Sequence, residues 1–467
     1  MNTKTILIIL GGCFFFLLSF FDPPEKLNEN SWLVARLVIL MTFWWFTNCI
    51  PMSITALLPL IVVPFFSEIN ISTVATPYAN PIIFLLLGGF VLGLGFQKSL
   101  LHKRLAMFIL SRIGSKKKNI LFGFILSTAF LSMWLSNTAT CLLMLPIVLS
   151  ILNKTKINND KFFRRVLLLS IAYSSSIGGM GTLIGTAPNA IFAGFMFENY
   201  GIEISFINWM LFSLPLVIIL ISIFWFFCLF LIKENNLEVS NNILFLDEYK
   251  KLGRINSKEK ITLLIISTTI FLWVFKPFIN SFFDLSMSDS GIAVFGAVLF
   301  FLIPFKKQNF LLDKDWFKSI PWNILILFGG GLSLASLITS TGLAEWISSS
   351  LFIFGELDIF FLILILALVI SFMTEITSNT ATTILFLPII ASFAITKDYN
   401  IILMSLPIVL TASCAFMMPI ATPPNAIVFS TNEIEIPFMV SVGIIMNLSA
   451  VLTSSIWIYY FSHILKI

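Results

Sequence analysis

Two apolar stretches, residues 119–152 and 357–394, are each too long to cross a bilayer once and too short to cross it twice with a turn between, since one crossing takes about 20 residues. Each carries the same polar word at its middle, Ser-Asn-Thr-Ala-Thr at 136–140 and again at 378–382. Charge shows what the first stretch does. Lys103, Arg104, Arg112 and Lys116 to Lys118 precede it, and Lys154, Lys156, Lys161, Arg164 and Arg165 follow it, so both flanks belong on the cytoplasmic side. The segment therefore enters from the cytoplasm, turns near mid-membrane at Ser136-Asn137-Thr138 and leaves on the side it came from. It is a re-entrant hairpin.

The second stretch is flanked by Glu345, Glu356 and Asp358 before it and by a lone Lys397 beside Asp398 after it, while basic connections lie elsewhere, at 250–260 and 306–318. It is expected to enter from the outside. On the same length ruler, eleven spans are predicted at 5–21, 32–50, 53–66, 81–97, 163–199, 205–232, 260–279, 290–305, 321–340, 401–427 and 436–463. Residues 5–21 are read as a retained span, because Asp22-Pro23-Pro24-Glu25-Lys26 follows with no small-x-small cleavage site. Threading the spans between the two hairpins puts the N-terminus in the cytoplasm and the C-terminus outside. The expected organisation is N-terminal scaffold spans at 1–70, a first repeat at 75–235 with its hairpin and a broken helix at 163–199, a cytoplasmic connection at 236–258, and a second repeat at 259–467 with a broken helix at 401–427.

The two repeats have opposite topology, and their sequences agree beyond hydropathy. SNTATCLLMLPI at 136–147 matches SNTATTILFLPI at 378–389 in nine of twelve positions, and TAPNAI at 186–191 matches TPPNAI at 422–427 in five of six. Looser echoes, PIIFLLLGGFVLG at 81 and PWNILILFGGGLS at 321, keep the same offset of about 240 residues. One unit inserted in opposite senses is the pattern of secondary transporters. The fold class is thus an all-α polytopic membrane protein with two re-entrant hairpins in an inverted repeat.

Composition removes the other classes. With 58% hydrophobic and 11% charged residues, the chain has too little polar surface for a soluble fold. Its net charge of +5 sits in short connections and reads as a topology signal, so no nucleic-acid partner is expected. The five cysteines, Cys13, Cys49, Cys141, Cys228 and Cys414, form no CxxC pair and suggest neither disulfides nor zinc. A hydrolase would need a Ser/His or paired-carboxylate arrangement at depth, whereas His102 and His463 lie at segment ends and Glu375 is the one acid inside a hairpin. No enzyme and no organic cofactor is expected. A channel would not need two gates of opposite sense. Gly178-Gly179-Met180-Gly181 is no dinucleotide loop, since no strand precedes it, and Trp134 reads as packing.

The repeated words carry the chemistry. Backbone that leaves the helix at membrane depth survives only where protein or a polar cavity satisfies it, so a mid-membrane turn implies a site. Ser, Asn and Thr cap helix N-termini, so each SNT starts an outgoing half-helix and aims free N–H groups at the cavity. The glycines at 178, 179, 181 and 185 loosen the first broken helix, Thr186 caps a new one, and Pro188 suits its first turn. Ala421-Thr422-Pro423-Pro424-Asn425 repeats this in the second half. Four half-helix N-termini can converge, each resembling about half a positive charge, and together they make an anion site with no Lys or Arg in any of the four words. Freed carbonyls and Ser, Thr and Asn oxygens are hard ligands suited to sodium. Glu375 is open between a hydrogen-bonded structural role and a cation or proton role.

At these residues the chain resembles the divalent anion/sodium symporter family, carriers of di- and tricarboxylates and of sulfate. The paired SNT words, the glycine-rich break before Thr186-Ala187-Pro188-Asn189, the break at 421–425 and the Leu-Gly-Gly-Phe run near Gly88 carry the resemblance over nearly the whole chain. It implies a homodimer in which a mobile transport part carries the site past a scaffold, an elevator. It implies one sodium site at Ser132, Ser136, Asn137 and Gly185 and another at Thr374, Thr377, Asn379 and Ala421. Substrate carboxylates would meet Ser136, Asn137, Thr138, Thr186, Ser378, Asn379, Thr380, Thr422 and Pro423. Many bacterial dicarboxylate carriers have Ser-Pro-Pro-Asn where this chain has Thr186-Ala187-Pro188-Asn189, which bears on substrate choice.

The expected function is sodium-coupled import of a C4 dicarboxylate such as succinate, fumarate or malate across a bacterial inner membrane. A sodium-independent exchanger, or a sodium-coupled citrate or sulfate carrier of the same fold, is the alternative.

Overall fold

The computed structural model describes residues 2–114, 116–154, 160–232, 243–306, 309–350 and 357–465. Lys156 and Glu356, used above to place hairpin flanks, and residues 236–242 of the expected cytoplasmic connection lie outside them. Among the described residues six helices are long and apolar enough to cross a bilayer: Ile71–Lys98, Phe206–Leu231, Ser257–Phe283, Trp322–Ser340, Asn379–Thr396 and Ile436–Leu465. Most apolar runs begin on a polar residue whose side chain accepts from the first free N–H groups, as Asn28, Asn80, Ser205, Ser288, Asp358 and Asn400 do. Asn256 and Glu259 form a reciprocal capping box at the start of Ser257–Phe283.

Both over-long stretches fold as two helical arms joined by a short turn. The first hairpin has arms Lys117–Ser132 and Asn137–Lys154, and the second has arms Ile359–Met373 and Asn379–Thr396. Both interrupted helices are interrupted. The first runs Lys161–Gly179 and Ala187–Tyr200, the second Ile401–Ala412 and Pro423–Phe429. The first broken helix packs tightly on the incoming arm of its own hairpin, so closely that a Cβ at Gly178 would stand 2.3 Å from Ala129 O.

Three expectations need correction. Residues 53–66 are not one helix but two, Met52–Thr55 and Leu58–Phe66. The helix Trp322–Ser340 approaches Ala56 so closely that only Gly330 fits there, and Tyr78 Oη donates to the Ala56 carbonyl that the interruption frees. Among the described residues the all-α class holds except at one short antiparallel ribbon, Pro304–Lys306 against Asn309–Phe310, where proline ends the preceding helix. Finally, helices Leu101–Ile113 and Leu343–Ser350 fall between expected spans. They lie along the hairpins: Leu110 and Ile113 reach Gly123 of the first, and Ser348 Oγ is 3.3 Å from Thr396 Oγ1 of the second.

Buried charges tie distant segments together. Arg104 is bidentate to Glu259 (2.8 and 3.1 Å) and also donates to the carbonyls of Leu252 and Gly253. Lys276 bridges Glu203 (2.9 Å) and Asp289 (3.0 Å), and Asp289 accepts from Phe206 N. Arg164 and Arg165, at the start of the first broken helix, pair with Glu433 and Glu435 beyond the second. Arg104 with Glu259 and Lys276 with Asp289 are buried on both sides and paired, the condition under which a buried charge is tolerated, whereas Glu203 and Glu435 are exposed.

Candidate functional site

The two hairpin turns are built alike. Ser136 and Ser378 stand immediately before the outgoing arms, and their carbonyls accept from Thr140 N and Thr382 N, both at 2.9 Å. The Ser136 hydroxyl also accepts from Ala139 N at 3.3 Å, whereas the Ser378 hydroxyl makes no capping bond. Residues 136–139 and 377–380 are half-buried, while Ser132 and Thr374 behind them are fully buried. Thr138 and Thr380 occupy the second position of their arms.

Each turn is bonded to the broken helix of its own repeat. The Asn137 amide lies 2.8 Å from Ser132 Oγ, and with its nitrogen turned inward it donates to Ser132 Oγ, to Ser175 O (3.0 Å) and to Gly185 O (3.2 Å), the orientation the surrounding acceptors favour. In the second repeat Thr374 Oγ1 donates to Asn379 Oδ1 (2.7 Å) and to Ala412 O (3.1 Å). Ser132, Asn137 and Gly185 are therefore brought together, with Ser136 next to Asn137. Of the second set, Thr374 and Asn379 meet directly. The Thr377 hydroxyl instead bonds Thr382 and Met373 O within the hairpin, and Ala421 N donates to Met418 O within its own loop.

The breaks meet across the repeats. Cys414 Sγ is 3.8 Å from Met180 Sδ, and Cys141 Sγ, on the first outgoing arm, donates toward Pro424 O at 3.7 Å. Thr422 caps its half-helix, accepting from Asn425 N at 3.3 Å. Thr186 has the extended backbone of a cap residue, but its hydroxyl makes no cap bond, so the expected capping is absent there. Thr186 is half-buried and Pro423 is exposed. The four N-termini are also unequal: Asn137–Lys154, Ala187–Tyr200 and Asn379–Thr396 are long helices, but Pro423–Phe429 has only seven residues and contributes the weakest dipole.

The sodium:sulfate symporter transmembrane region matches residues 2–467. The chain belongs to the sodium:sulfate symporter family. Two relatives, both sodium-dependent dicarboxylate transporters SdcS, are 36% identical (Staphylococcus saprophyticus) and 35% identical (Staphylococcus aureus), each alignment covering 97% of this chain and 90% of the relative. The YdaH transporter of Alcanivorax borkumensis shares the fold, with a TM-score of 0.59 at 11% identity over 92% of this chain and 98% of that one. A member of this family is a transporter, not an enzyme.

In this symporter several residues that the sequence did not single out complete the site. Unwinding at 180–186 frees a run of carbonyls: Met180 O accepts from Trp209 Nε1 (3.0 Å), Gly181 O from Ser213 Oγ (3.1 Å), and Thr182 Oγ1 ties the loop to Met133 O in the hairpin turn. Asn189 Nδ2 donates to Gly179 O, Met180 O and Thr182 O, and Asn425 Nδ2 to Ala415 O and Met418 O. In the second break the exposed donors are met as well. Glu375 accepts from Met417 N and Met418 N (both 2.8 Å) and from Asn447 Nδ2 (2.7 Å), while Asn447 Oδ1 accepts from Phe416 N and Tyr173 Oη donates to Phe416 O. Its carboxylate thus accepts three N–H donors, the arrangement of a hydrogen-bonded structural group. The repeated Asn of TAPNAI and TPPNAI was the one signal pointing to Asn189 and Asn425. Nothing in the sequence pointed to Tyr173, Trp209, Ser213 or Asn447.

Outside the spanning segments, the Arg164 guanidinium holds the Glu433 carboxyl below the usual glutamate range through a direct hydrogen bond, which outweighs the cost of its partial burial.

Proposed function

We propose that this chain imports C4 dicarboxylates such as succinate, fumarate and malate together with sodium, as a homodimeric elevator of eleven transmembrane helices and two re-entrant hairpins. One observation carries the reading: in both repeats a hairpin turn is bonded, through its asparagine or the hydroxyl beside it, to an unwound helix whose freed carbonyls lie at the same place. Such a junction of carbonyl, hydroxyl and amide oxygens suits a hard, singly charged cation. Ser132, Ser136, Asn137 and Gly185 would hold one sodium ion, and Thr374, Thr377, Asn379 and Ala421 a second. To serve, Asn137 turns its amide so that oxygen faces the ion, and Thr377 exchanges its bond to Thr382 for the ion.

Substrate carboxylates would meet Ser136, Asn137, Thr138, Thr186, Ser378, Asn379, Thr380, Thr422 and Pro423. With no Lys or Arg in these segments, the bound sodium ions supply the positive charge that brings a dianion to mid-membrane. The two named relatives are sodium-dependent dicarboxylate transporters, which favours dicarboxylates over sulfate or citrate.

Residues 1–70 serve as scaffold, 75–235 and 259–467 as the inverted repeats, and 236–258 as their cytoplasmic link. The N-terminus lies in the cytoplasm of the cell, the C-terminus outside. The ion pairs support this sidedness, because Arg104 with Glu259 and Arg164 with Glu433 join segments assigned to the cytoplasmic face, and Lys276 with Glu203 and Asp289 joins segments assigned to the outer face. The test is uptake of labelled succinate into proteoliposomes with and without an inward sodium gradient. Uptake that rises with the gradient is expected. Uptake indifferent to sodium but dependent on internal dicarboxylate would overturn symport in favour of exchange.

A further inference from the structure

We infer that Asn189 and Asn425 are positioning residues for the two sodium sites, each holding its unwound loop in shape through the donor side of its amide. The inference rests on the sodium-coupled reading above and names what fixes Gly185 and Ala421 in place.

The two asparagines are fully buried and act in the same register. Asn189 Nδ2 reaches back ten residues to Gly179 O (3.2 Å) and seven to Thr182 O (2.8 Å). Asn425 Nδ2 reaches back ten residues to Ala415 O (3.1 Å) and seven to Met418 O (3.1 Å). In each loop the carbonyl seven residues back has a second donor, and that donor is the backbone N–H of the sodium-site residue: Gly185 N to Thr182 O (3.4 Å) and Ala421 N to Met418 O (3.2 Å). Gly185 also lies against another of the carbonyls that Asn189 holds, since a Cβ on it would stand 2.3 Å from Gly179 O. The asparagine and the sodium-site residue thus hang on one shared acceptor in both repeats.

The acceptor end of each amide supports the assignment. Asn189 Oδ1 and Asn425 Oδ1 are buried and find no hydrogen-bond partner among the described residues. An asparagine with half its polar capacity unmet is a costly choice for a buried position. What keeps it there is the pair of N–H donors, which bridge carbonyls that no helix turn can satisfy. Of the carbonyls held in this way, Gly179 O and Ala415 O take the asparagine as their one donor among the described residues and retain a second lone pair.

The test is Asn189→Ala and Asn425→Ala in the full-length protein, by uptake in proteoliposomes and by sodium titration of thermal unfolding in detergent. Loss of two or three hydrogen bonds to the loop is expected to raise the sodium concentration for half-maximal uptake about tenfold, with the matching shift in the thermal titration. Succinate half-saturation measured at saturating sodium stays within about twofold of the wild type, as expected for a group acting through the cation. Should an alanine variant fail to fold, Asn189→Ser and Asn425→Ser, which keep one donor, are read in the same way. Variants that melt earlier yet keep the wild-type sodium dependence in both assays would overturn the inference and leave a merely structural role. A wild type without sodium response would overturn the transport reading along with it, so the two failures are distinguishable.

Discussion

Replacing Glu375 by Gln removes one of the two carboxylate oxygens that organise the second break. Oε2 accepts from Met418 N alone, while Oε1 accepts from both Met417 N and Asn447 Nδ2. A glutamine offers one acceptor and one NH2 group, so at least one of three N–H donors loses its partner and faces another donor. Hydrogen bonds to a charged group contribute about 1.5–3 kcal/mol each and an orphaned buried donor costs about 1–3 kcal/mol, so the variant should lose about 2–4 kcal/mol of stability. The assay is the unfolding temperature in detergent, together with the pH profile of uptake in proteoliposomes. A markedly lower unfolding temperature with the wild-type pH profile in the surviving protein is expected. A variant that melts with the wild type but transports with an altered pH profile would refute the structural role and make Glu375 a proton carrier.

Gly179→Ala would place a Cβ 2.3 Å from the inward-facing end of the Asn137 side-chain amide, forcing that amide to move by about 1 Å at an overpacking cost of about 1–3 kcal/mol. The sodium requirement for uptake should rise more than the succinate requirement, measured as uptake against each in turn. At the Arg164–Glu433 pair, the lowered Glu433 carboxyl contributes stability that is present above the usual glutamate value of about 4.3 and is lost as pH falls through the lowered one. Melting temperatures followed downward from about pH 5 should fall less steeply in Glu433→Gln than in the wild type.

The hairpins were legible because a polar word in an apolar stretch of the wrong length admits few foldings, and because Ser136 and Ser378 are good first residues for the arms that follow. The second break was only half legible. Thr422 and its prolines mark its end, but it begins at Ser413, and nothing in Cys-Ala-Phe-Met-Met signals unwinding. That loop is held open by Glu375, Asn447 and Tyr173, whose donors and acceptors come from the second hairpin turn and two other helices and so leave no local trace. Leu101–Ile113 escaped the span ruler because it is short and carries Lys103, Arg104 and Arg112. Its stability comes from packing on the hairpin and from Arg104 reaching Glu259, 155 residues away. The pairing of each hairpin turn with its own broken helix is likewise tertiary, made through the Asn137 amide in the first repeat and through Thr374 in the second.

The measurement that tests the central claim most directly is whether sodium and substrate are linked through the hairpin asparagines. Thermal unfolding of the wild type, Asn137→Ala and Asn379→Ala is followed in sodium and in potassium, each with and without succinate. Ligands that bind the folded state raise its stability, and linked ligands raise it by more together than the sum of their separate effects. If each asparagine serves both the cation and the carboxylate, succinate should stabilise the wild type more in sodium than in potassium, and that difference should shrink in both variants. Lower melting temperatures with the sodium-dependent difference intact in both variants would contradict the account and reduce the two asparagines to packing.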